Sequence, residues 1–486
     1  MRPGFSLLDD TLAERIITEA RTVLAEVGME IQDDESRALL IEHGAVADEG
    51  DGRVRIGGEL VEGALESVPR SFSLFDVLGE ETHSFTRGRV YFTPGSAAIN
   101  ILDNATGEIR PPNTADYIAL TKVVSGLDRL EAQSTAVVPA DVPEAVSDSY
   151  RLFLSLLYCS KPVVTGAFTV EGFAVMRDLL LAVRGSATEL AAKPLAIFTC
   201  CPTSPLKWTV EGSRNLIDCA RAAIPAEIVP VPLTGFMAPV TLVGTLVQHT
   251  TEVLSGVVLA QLANPGCPLL FGGSPAIFDI RYETTPMGAV ETTMLTCAAA
   301  EIGRRLGLPT QGYIALSDAK ALDAQAGLET SMGATLAALA GINSVSGPGM
   351  LDFESCQSLE KLVVDHEICR MTDRLTAGIE PREDFPARPL MEELLAEKHL
   401  LIADHTRRYL RKELSFPGPV IDRTSRARWL EEGSSTVGGR AAAEVQRLLA
   451  DYSPSRLGGD ERRELEAVMT AAARACGMDT LPEWEE

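Results

Sequence analysis

The stretch KPVVTGAFTVEGFAVMRDLLLAVRGSATELAAKPLAIFTC, residues 161–200, reads as a buried strand, a helix and a second buried strand. The two outer runs, KPVVTGAF and PLAIFTC, are apolar on consecutive residues rather than on alternate ones. Continuous apolar strands are typical of a parallel sheet that is covered on both faces. The helical pattern at 170–183 supplies the crossover that parallel pairing requires.

The same alternation of strand and helix recurs from residue 89 onward. Eight runs predict strands: RVYFTP, LEAQSTAVVP, KPVVTGAF, PLAIFTC, EIVPVPLTGF, PLLFGGSP, LPTQGYIAL and ALAGINSVSG. Helical patterns separate them, for example at 114–127, 240–262 and 287–306, and another follows the last run at 354–377. Eight such units predict an α/β fold, a closed (β/α)8 barrel of the TIM type. An open doubly wound sheet has the same local pattern, but its GxGxxG fingerprint is absent.

Two further regions flank the predicted barrel, which we assign to residues 89–377. Residues 1–88 predict a small α+β preface that opens with an amphipathic helix in LLDDTLAERIITEARTVLAEVGMEI. Residues 378–486 are richer in charge and predict a C-terminal helical extension. This extension covers one side of the barrel or forms a subunit interface, and we expect a homo-oligomer.

Composition narrows the functional class. Hydrophobic residues make up 45% of the 486 positions, which is enough for a large core, and the net charge is −25. An acidic surface disfavours nucleic acid and anionic membranes and tolerates cationic ligands. Nine cysteines without a framework pattern predict reduced thiols in a cytoplasmic protein. We expect no signal peptide and no membrane span, since the start is polar and the apolar runs are short.

Candidate site residues follow from the barrel, because catalytic groups in this fold come from the C-terminal strand ends. Several ends are rich in glycine and proline, which allow close ligand approach but also serve ordinary turns. The seventh end, SDAKALDAQAGLE, concentrates polar side chains. It supplies the candidate catalytic residues Ser317, Asp318 and Lys320. The candidate substrate-binding residues are Thr199, Phe236, Phe271, Ser274, Tyr313 and Gln325.

Several of these residues have alternative roles. Ser317 or Asp318 would also serve to cap the next helix. Lys320 would bind a substrate carboxylate, form a Schiff base if desolvated, or pair with Asp323. No metal site is predicted, since no two histidines have ligand spacing and the HExxH and CxxC patterns are absent.

These strand ends, together with GSAAINILDNATGEIRPPNTADY (95–117) and FPGPVIDRTSRARWLEEG (416–433), resemble the trimethylamine methyltransferase family. The resemblance extends over most of the chain. It implies a barrel enzyme that transfers a methyl group from a tertiary or quaternary amine to a corrinoid protein. The implied partners are that corrinoid protein and a small methylated amine. The corrinoid (cobalamin) belongs to the partner, since this chain lacks the DxHxxG pattern, and we expect no tightly bound cofactor.

One departure from the family bears on the substrate. The founding trimethylamine enzymes carry pyrrolysine in the barrel, whereas this sequence has none. A quaternary ammonium leaves as a neutral amine without further activation, so the resemblance implies a quaternary amine such as glycine betaine. Tyr313 and Phe236 would then form an aromatic cage, with Asp318 as counter-charge and Lys320 or Gln325 on the carboxylate. The alternatives are a barrel lyase or aldolase-type enzyme using Lys320, and a non-catalytic protein that binds quaternary amines.

Overall fold

Eight parallel strands form a closed barrel at the centre of the molecule. The computed structural model describes residues 3–48, 50, 52–454 and 457–482. We number the barrel strands β1 to β8: Tyr91–Thr93, Gln133–Ser134, Val163–Thr165, Ala196–Cys200, Ala226–Ile228, Leu269–Phe271, Gln311–Tyr313 and Ser344–Ser346. Each strand overlaps one of the eight runs that the sequence predicted. The predicted (β/α)8 barrel is therefore confirmed.

Parallel pairing continues around the whole ring. Strands β2 to β6 form one continuous sheet, and β7, β8 and β1 form another. Between β6 and β7, the N–H of Phe271 donates to Pro309 O at 2.8 Å. Between β1 and β2, the N–H of Glu131 donates to Phe92 O at 3.0 Å. Because the ring is closed and parallel, all eight carboxyl ends meet at one rim, which we call the mouth.

One long helix follows each strand and forms the outer layer. Helices α1 to α8 are Thr114–Gly126, Glu144–Tyr158, Val170–Arg184, Val210–Arg221, Leu242–Ala263, Val290–Arg305, Ala324–Ala340 and Leu359–Thr376. A short extra helix, Ala187–Ala192, precedes β4. Six of the eight begin at a side chain that accepts a first-turn N–H: Asn113, Thr169, Thr209, Thr241, Asp323 and Ser358. These caps fix where each mouth loop ends.

The last barrel helix begins later than predicted. The pattern at 354–377 was wrong at its start, since α8 begins at Leu359. Asp352, Phe353 and Glu354 have positive φ angles of 48°, 57° and 67°, which no right-handed helix accommodates. Strand pairing imposes this turn, because Cys356–Gln357 pairs with Met350–Leu351 on one side and with Asn100–Asp103 on the other.

Short strands tie the mouth loops to one another. Three of them are the paired strands just described. The other short strands are Glu108–Arg110, Lys207–Trp208, Leu233–Thr234 and Ala276–Ile277. Leu233–Thr234 pairs with Ala276–Ile277, which joins the loop after β5 to the loop after β6. Backbone hydrogen bonds between these short strands therefore hold the mouth loops in position.

The N-terminal segment packs against one barrel helix. It contains helices Asp10–Glu26, Asp34–Glu42 and Gly58–Ser67 and strands Met29–Ile31, Val46–Ala47, Arg53–Arg55, Ser73–Phe75 and Glu81–Ser84. All three helices contact α5, and Met29–Ile31 pairs with Lys207–Trp208 of the barrel. Helix α5 is the one described helix long and apolar enough to cross a membrane. However, 72% of its most apolar window is buried inside the fold, as expected of a core helix.

Five helices follow the barrel: Arg388–Glu397, Asp404–Glu413, Arg426–Glu431, Val437–Ala450 and Gly459–Ala475. Val437–Ala450 packs against α8 and α1, and Gly459–Ala475 packs against α2 and α3. They bury Val445, Leu448, Leu465 and Met469 against the barrel. The last two described helices therefore cover one side of the barrel. The domain boundaries near residues 88 and 377, and self-association, remain predictions.

Candidate active site at the barrel mouth

A cavity of about 360 Å³ opens at the mouth. Its side-chain lining includes Ser96, Thr135, Arg151, Thr165, Phe168, Thr199, Cys201, Asn215 and Tyr313. These residues come from the ends of β1 to β4 and β7 and from nearby helices. Strands β3 and β7 lie opposite each other in the ring, so the cavity spans the mouth. Two larger cavities lie elsewhere in the structure. One is around Arg304 at the opposite end of the barrel, and the other is beside helix Asp404–Glu413. Neither lies at the carboxyl ends of the barrel strands.

Behind the lining residue Thr199 lies a carboxyl group that the sequence analysis missed. Glu227 lies in β5, fully buried, and Thr199 Oγ1 donates to its Oε1 at 2.7 Å. Its Oε2 is buried and has no hydrogen-bond partner in the described part of the chain. Burial raises the pKa of Glu227 to about 7, against a smaller lowering by the Thr199 hydrogen bond. The sequence feature that could have revealed Glu227 is a single acidic residue inside the apolar run AEIVPV.

Two acids, Glu227 and Glu354, act electrostatically on Tyr313. Burial raises the pKa of the Tyr313 phenol well above its usual value, and the charges of Glu227 and Glu354 raise it further. Burial, and then the charge of Asp318, raises the pKa of Glu354 to about 8. Tyr313 therefore presents a neutral side chain to the cavity, within electrostatic reach of two acids.

Glu354 belongs to the left-handed turn at 352–354, and Lys320 braces that turn. The Lys320 Nζ donates to Asp318 O at 2.6 Å and lies 3.5 Å from Asp352 Oδ1. It also lies 3.7 Å from the centroid of the Phe353 ring. The Lys320 side chain is 55% exposed, so it lacks the desolvation that activates a Schiff-base lysine. Its carboxylate partner is Asp352 rather than Asp323.

Ser317 and Asp318 tie the mouth loops together beside the cavity. The Asp318 carboxylate accepts the N–H groups of Met287 at 2.8 Å and Gly288 at 2.9 Å. Burial raises the pKa of Asp318 to about 6 despite these hydrogen bonds. Ser317 Oγ donates to Glu329 Oε2 at 2.5 Å. The predicted polar cluster therefore links the loop after β6, the loop after β7 and helix α7.

The remaining predicted residues occupy three different places. Phe236 lies on the rim, 64% exposed, with its ring centroid 4.7 Å from that of Phe278. Gln325 is exposed at the start of α7, where its Nε2 donates to Glu329. Phe271 is buried in the wall beside His249 on helix α5, and Ser274 is buried after β6. The structure thus brings Thr199 and Tyr313 into the cavity and leaves these four outside its lining.

Arg151 is the second cavity residue that the sequence analysis missed. It lies on α2, is buried, and lines the cavity beside Phe168. Its guanidinium carbon is 4.4 Å from the centroid of the Phe168 ring. Burial lowers the pKa of Arg151. The signal was one cation within the apolar helical run SYRLFLSLLY.

The arrangement suits the binding of a small charged molecule. The cavity lining includes two aromatic rings, Phe168 and Tyr313, and the carboxyl group of Glu227 lies behind the lining residue Thr199. Within the described ranges, no group of three or more His, Cys, Asp or Glu residues could hold a metal ion. The site can orient a bound ligand and stabilise its charge in a partly enclosed space.

A family profile described as trimethylamine methyltransferase (MTTB) matches residues 1–477. A trimethylamine methyltransferase of Desulfitobacterium hafniense (strain DSM 10664 / DCB-2) is 30% identical over 456 residues, covering 93% of this chain and 92% of that protein. A glycine betaine methyltransferase of Desulfitobacterium hafniense (strain Y51) is 28% identical over 477 residues, covering 98% of each.

Solved structures agree on the fold. The monomethylamine methyltransferase of Methanosarcina barkeri superposes with a TM-score of 0.52 at 11% identity, covering 98% of this chain and 88% of that one. A hydroxylamine complex of MtmB gives 0.53 at 11% identity, covering 92% and 89%. At this identity the likeness supports the shared barrel architecture alone.

Proposed function

The chain belongs to the trimethylamine methyltransferase family, and we propose that it moves a methyl group from a quaternary amine to the cobalt of a corrinoid protein. Family membership supports methyl transfer from an amine. The relatives include enzymes named for trimethylamine and for glycine betaine. Our proposal goes beyond family membership in two respects, which are the quaternary substrate and the corrinoid acceptor.

The observation that carries the proposal is the unpaired carboxyl group of Glu227 behind the cavity lining. Burial is the dominant influence on its pKa, and no neighbouring cation contributes to it. One of its oxygens has no hydrogen-bond partner among the described residues. A cationic ligand in the cavity, near the Tyr313 ring, would supply the charge that this carboxylate lacks. The choice of a quaternary cation rests on its neutral leaving group, and its charge is present at every pH.

The chemistry requires orientation more than proton transfer. The C–N bond breaks with its electron pair remaining on nitrogen, and the methyl carbon accepts an electron pair from Co(I). The amine then leaves uncharged, so no residue has to protonate it in the displacement step. The protein's contribution is to hold one N-methyl group in line with the acceptor and to keep water away.

The acceptor is a second substrate, carried by a partner protein that docks at the mouth. Large apolar side chains are exposed around the rim, on the loops after β5 and β6 and at the start of α7. We call this set the apolar rim: Phe236, Val240, Ile280, Tyr282 and Leu328. A patch of this kind, surrounding a functional cavity, is typical of a protein interaction surface.

A spectral assay tests the proposal. Purified protein is mixed with cob(I)alamin and one amine at a time, and methylcobalamin formation is followed. We expect glycine betaine or another quaternary amine to react, and trimethylamine to react at least about a hundredfold more slowly. Equal rates for tertiary and quaternary amines would contradict the substrate assignment. Binding of a quaternary amine with no transfer to free or protein-bound corrinoid would identify a non-catalytic binding protein.

A further inference from the structure

Arg151 is a buried cation in the cavity wall that forms no ion pair with any described residue. Its side chain is 1% exposed and lines the cavity. A buried charge without a partner costs several kcal/mol. Such a residue is expected where a ligand supplies the opposite charge.

The Arg151 guanidinium retains uncommitted donors. Its Nε donates to Ser147 O at 3.2 Å, and its Nη1 donates to Thr135 O at 3.0 Å. Its Nη2 is buried and has no acceptor within the described ranges. The planar guanidinium matches the geometry of a carboxylate, which is the anion that it binds best.

The nearest acid in the sequence is engaged elsewhere. Asp148 lies one turn earlier on α2, and its Oδ2 accepts the N–H of Phe168 at 2.9 Å. Its Oδ1 accepts the N–H of Ser149 at 2.6 Å. Burial lowers the pKa of Arg151, and Asp148 opposes that only through space. Asp148 therefore fixes the loop after β3 and leaves Nη2 of Arg151 without an acceptor.

We propose that Arg151 binds the carboxylate of a zwitterionic substrate and so selects a betaine over a simple methylated amine. Arg151 stands at the β2–β3 side of the cavity, beside Thr135 and Phe168. Tyr313 lies across the mouth on β7, and Glu227 on β5 lies behind the lining residue Thr199. A molecule with a carboxylate at one end and a quaternary nitrogen at the other matches both sides. The inference rests on the proposed function in treating this cavity as the amine site.

Arg151 suits this role better than the two residues that the sequence suggested. Lys320 is half-exposed and engaged by the turn at 352–354. Gln325 is exposed and donates to Glu329 at the start of α7. Neither lines the cavity, whereas Arg151 does.

Calorimetric binding without any corrinoid tests the inference with three probes. Glycine betaine carries both charges, tetramethylammonium carries only the cation, and 3,3-dimethylbutyrate carries only the carboxylate. We expect the wild type to bind glycine betaine at least about tenfold more tightly than tetramethylammonium. In Arg151→Gln, glycine betaine affinity should fall to the tetramethylammonium level, while tetramethylammonium affinity stays unchanged. Arg177→Gln, at a partly exposed position on α3, should change neither.

Unchanged glycine betaine affinity in Arg151→Gln would overturn the inference, as would equal wild-type affinities for glycine betaine and tetramethylammonium. If Arg151→Gln does not fold, Arg151→Lys and wild-type competition replace it. The lysine variant should keep a preference for glycine betaine, and 3,3-dimethylbutyrate should displace glycine betaine from the wild type. Absence of displacement would contradict the inference.

The two proposals fail in different ways. Methyl transfer is measured separately in the same variants. Arg151-dependent binding of glycine betaine without any transfer would reject the proposed function and keep the inference. Equally fast transfer from tetramethylammonium and glycine betaine, unaffected in Arg151→Gln, would reject the inference and keep the proposed function.

Discussion

Glu227 is buried in β5 with one oxygen unpaired, so its ionised form costs the folded state free energy. Burial raises the pKa of its carboxyl group to about 7, above the unfolded value. A raised carboxyl pKa means that the folded state holds its proton more tightly than the unfolded state does. The stability from this group is therefore full at acidic pH and is lost as the pH rises through about 7.

Replacing Glu227 with glutamine should remove this loss of stability at higher pH. We expect Glu227→Gln to gain about 2 kcal/mol of unfolding free energy, relative to the wild type, between pH 5 and pH 8. Denaturant unfolding at both pH values measures it, with Glu59→Gln on the N-terminal segment as control. A constant difference between the two proteins at both pH values would show that Glu227 does not titrate as described.

Ligand affinity should depend on pH in the opposite sense. The ionised Glu227 attracts the ammonium group, so affinity for a quaternary amine should rise between pH 6 and pH 8 in the wild type. In Glu227→Gln the pH dependence over this interval should become smaller, with the remainder due to Glu354 and Asp318. Calorimetry across that range measures both. Wild-type affinity that falls as the pH rises would contradict the role of the carboxylate.

Tyr313 contributes its ring to the cation site. Tyr313→Ala should weaken binding of a quaternary amine by roughly 2- to 30-fold, corresponding to about 0.5–2 kcal/mol for a cation over an aromatic face. Tyr313→Phe keeps the ring and should stay within about threefold of the wild type. Equal losses in both variants would assign the effect to the hydroxyl group and not to the ring.

Sequence reasoning reached Tyr313 and Thr199 because both lie at strand ends, where the fold puts its site. It missed Glu227 and Arg151 because each is a single charge inside an apolar run. Local periodicity marks such a run as strand or helix interior. That Glu227 faces Thr199 across β4 and β5, and that Arg151 reaches the carbonyl of Thr135, depends on tertiary packing.

At the scale of elements, the turn at 352–354 before α8 positions the acidic residue Glu354 at the mouth. Three consecutive non-glycine residues, 352–354, have left-handed backbone, which costs of order 1 kcal/mol each. The sequence suggested a helix there because Glu354 and Ser355 fit a helical pattern. The strand pairing of Cys356–Gln357 is a long-range contact, and no local signal announces it.

Lys320 braces this turn, and its replacement separates that role from Schiff-base chemistry. Lys320→Met should lower the free energy of unfolding by less than about 1 kcal/mol, since the side chain is half-exposed. Methyl transfer should slow by less than about tenfold, and borohydride with a carbonyl substrate should trap no adduct on the wild type. Complete loss of activity together with a trapped Lys320 adduct would favour a lyase.

At the scale of the whole molecule, the closed ring concentrates every strand end at one rim. Order and spacing of the eight apolar runs were enough to predict this barrel, because each run is a local signal. The shape of the cavity was not predictable, since it joins residues from the ends of β1 to β4 and β7. The apolar rim likewise comes from separate loops that only the closed ring brings together.

If the proposed function holds, the apolar rim is where we expect a corrinoid protein to dock. Ile280→Glu, at a position 81% exposed, should raise the KM for the corrinoid protein by at least about tenfold. Transfer to free cob(I)alamin should be unchanged. Leu401→Glu, 78% exposed in the C-terminal region, is the matched control and should alter neither. Loss of both reactions in Ile280→Glu would indicate a damaged mouth and not a lost docking contact.

The most direct measurement is a single turnover with glycine betaine carrying a labelled N-methyl group, cob(I)alamin and either the wild type or Glu227→Gln at pH 8. The account predicts that the label appears in methylcobalamin as dimethylglycine is released, and that Glu227→Gln lowers kcat/KM at least about tenfold. Absence of label transfer from every quaternary amine, or equal kcat/KM in the two proteins, would contradict it.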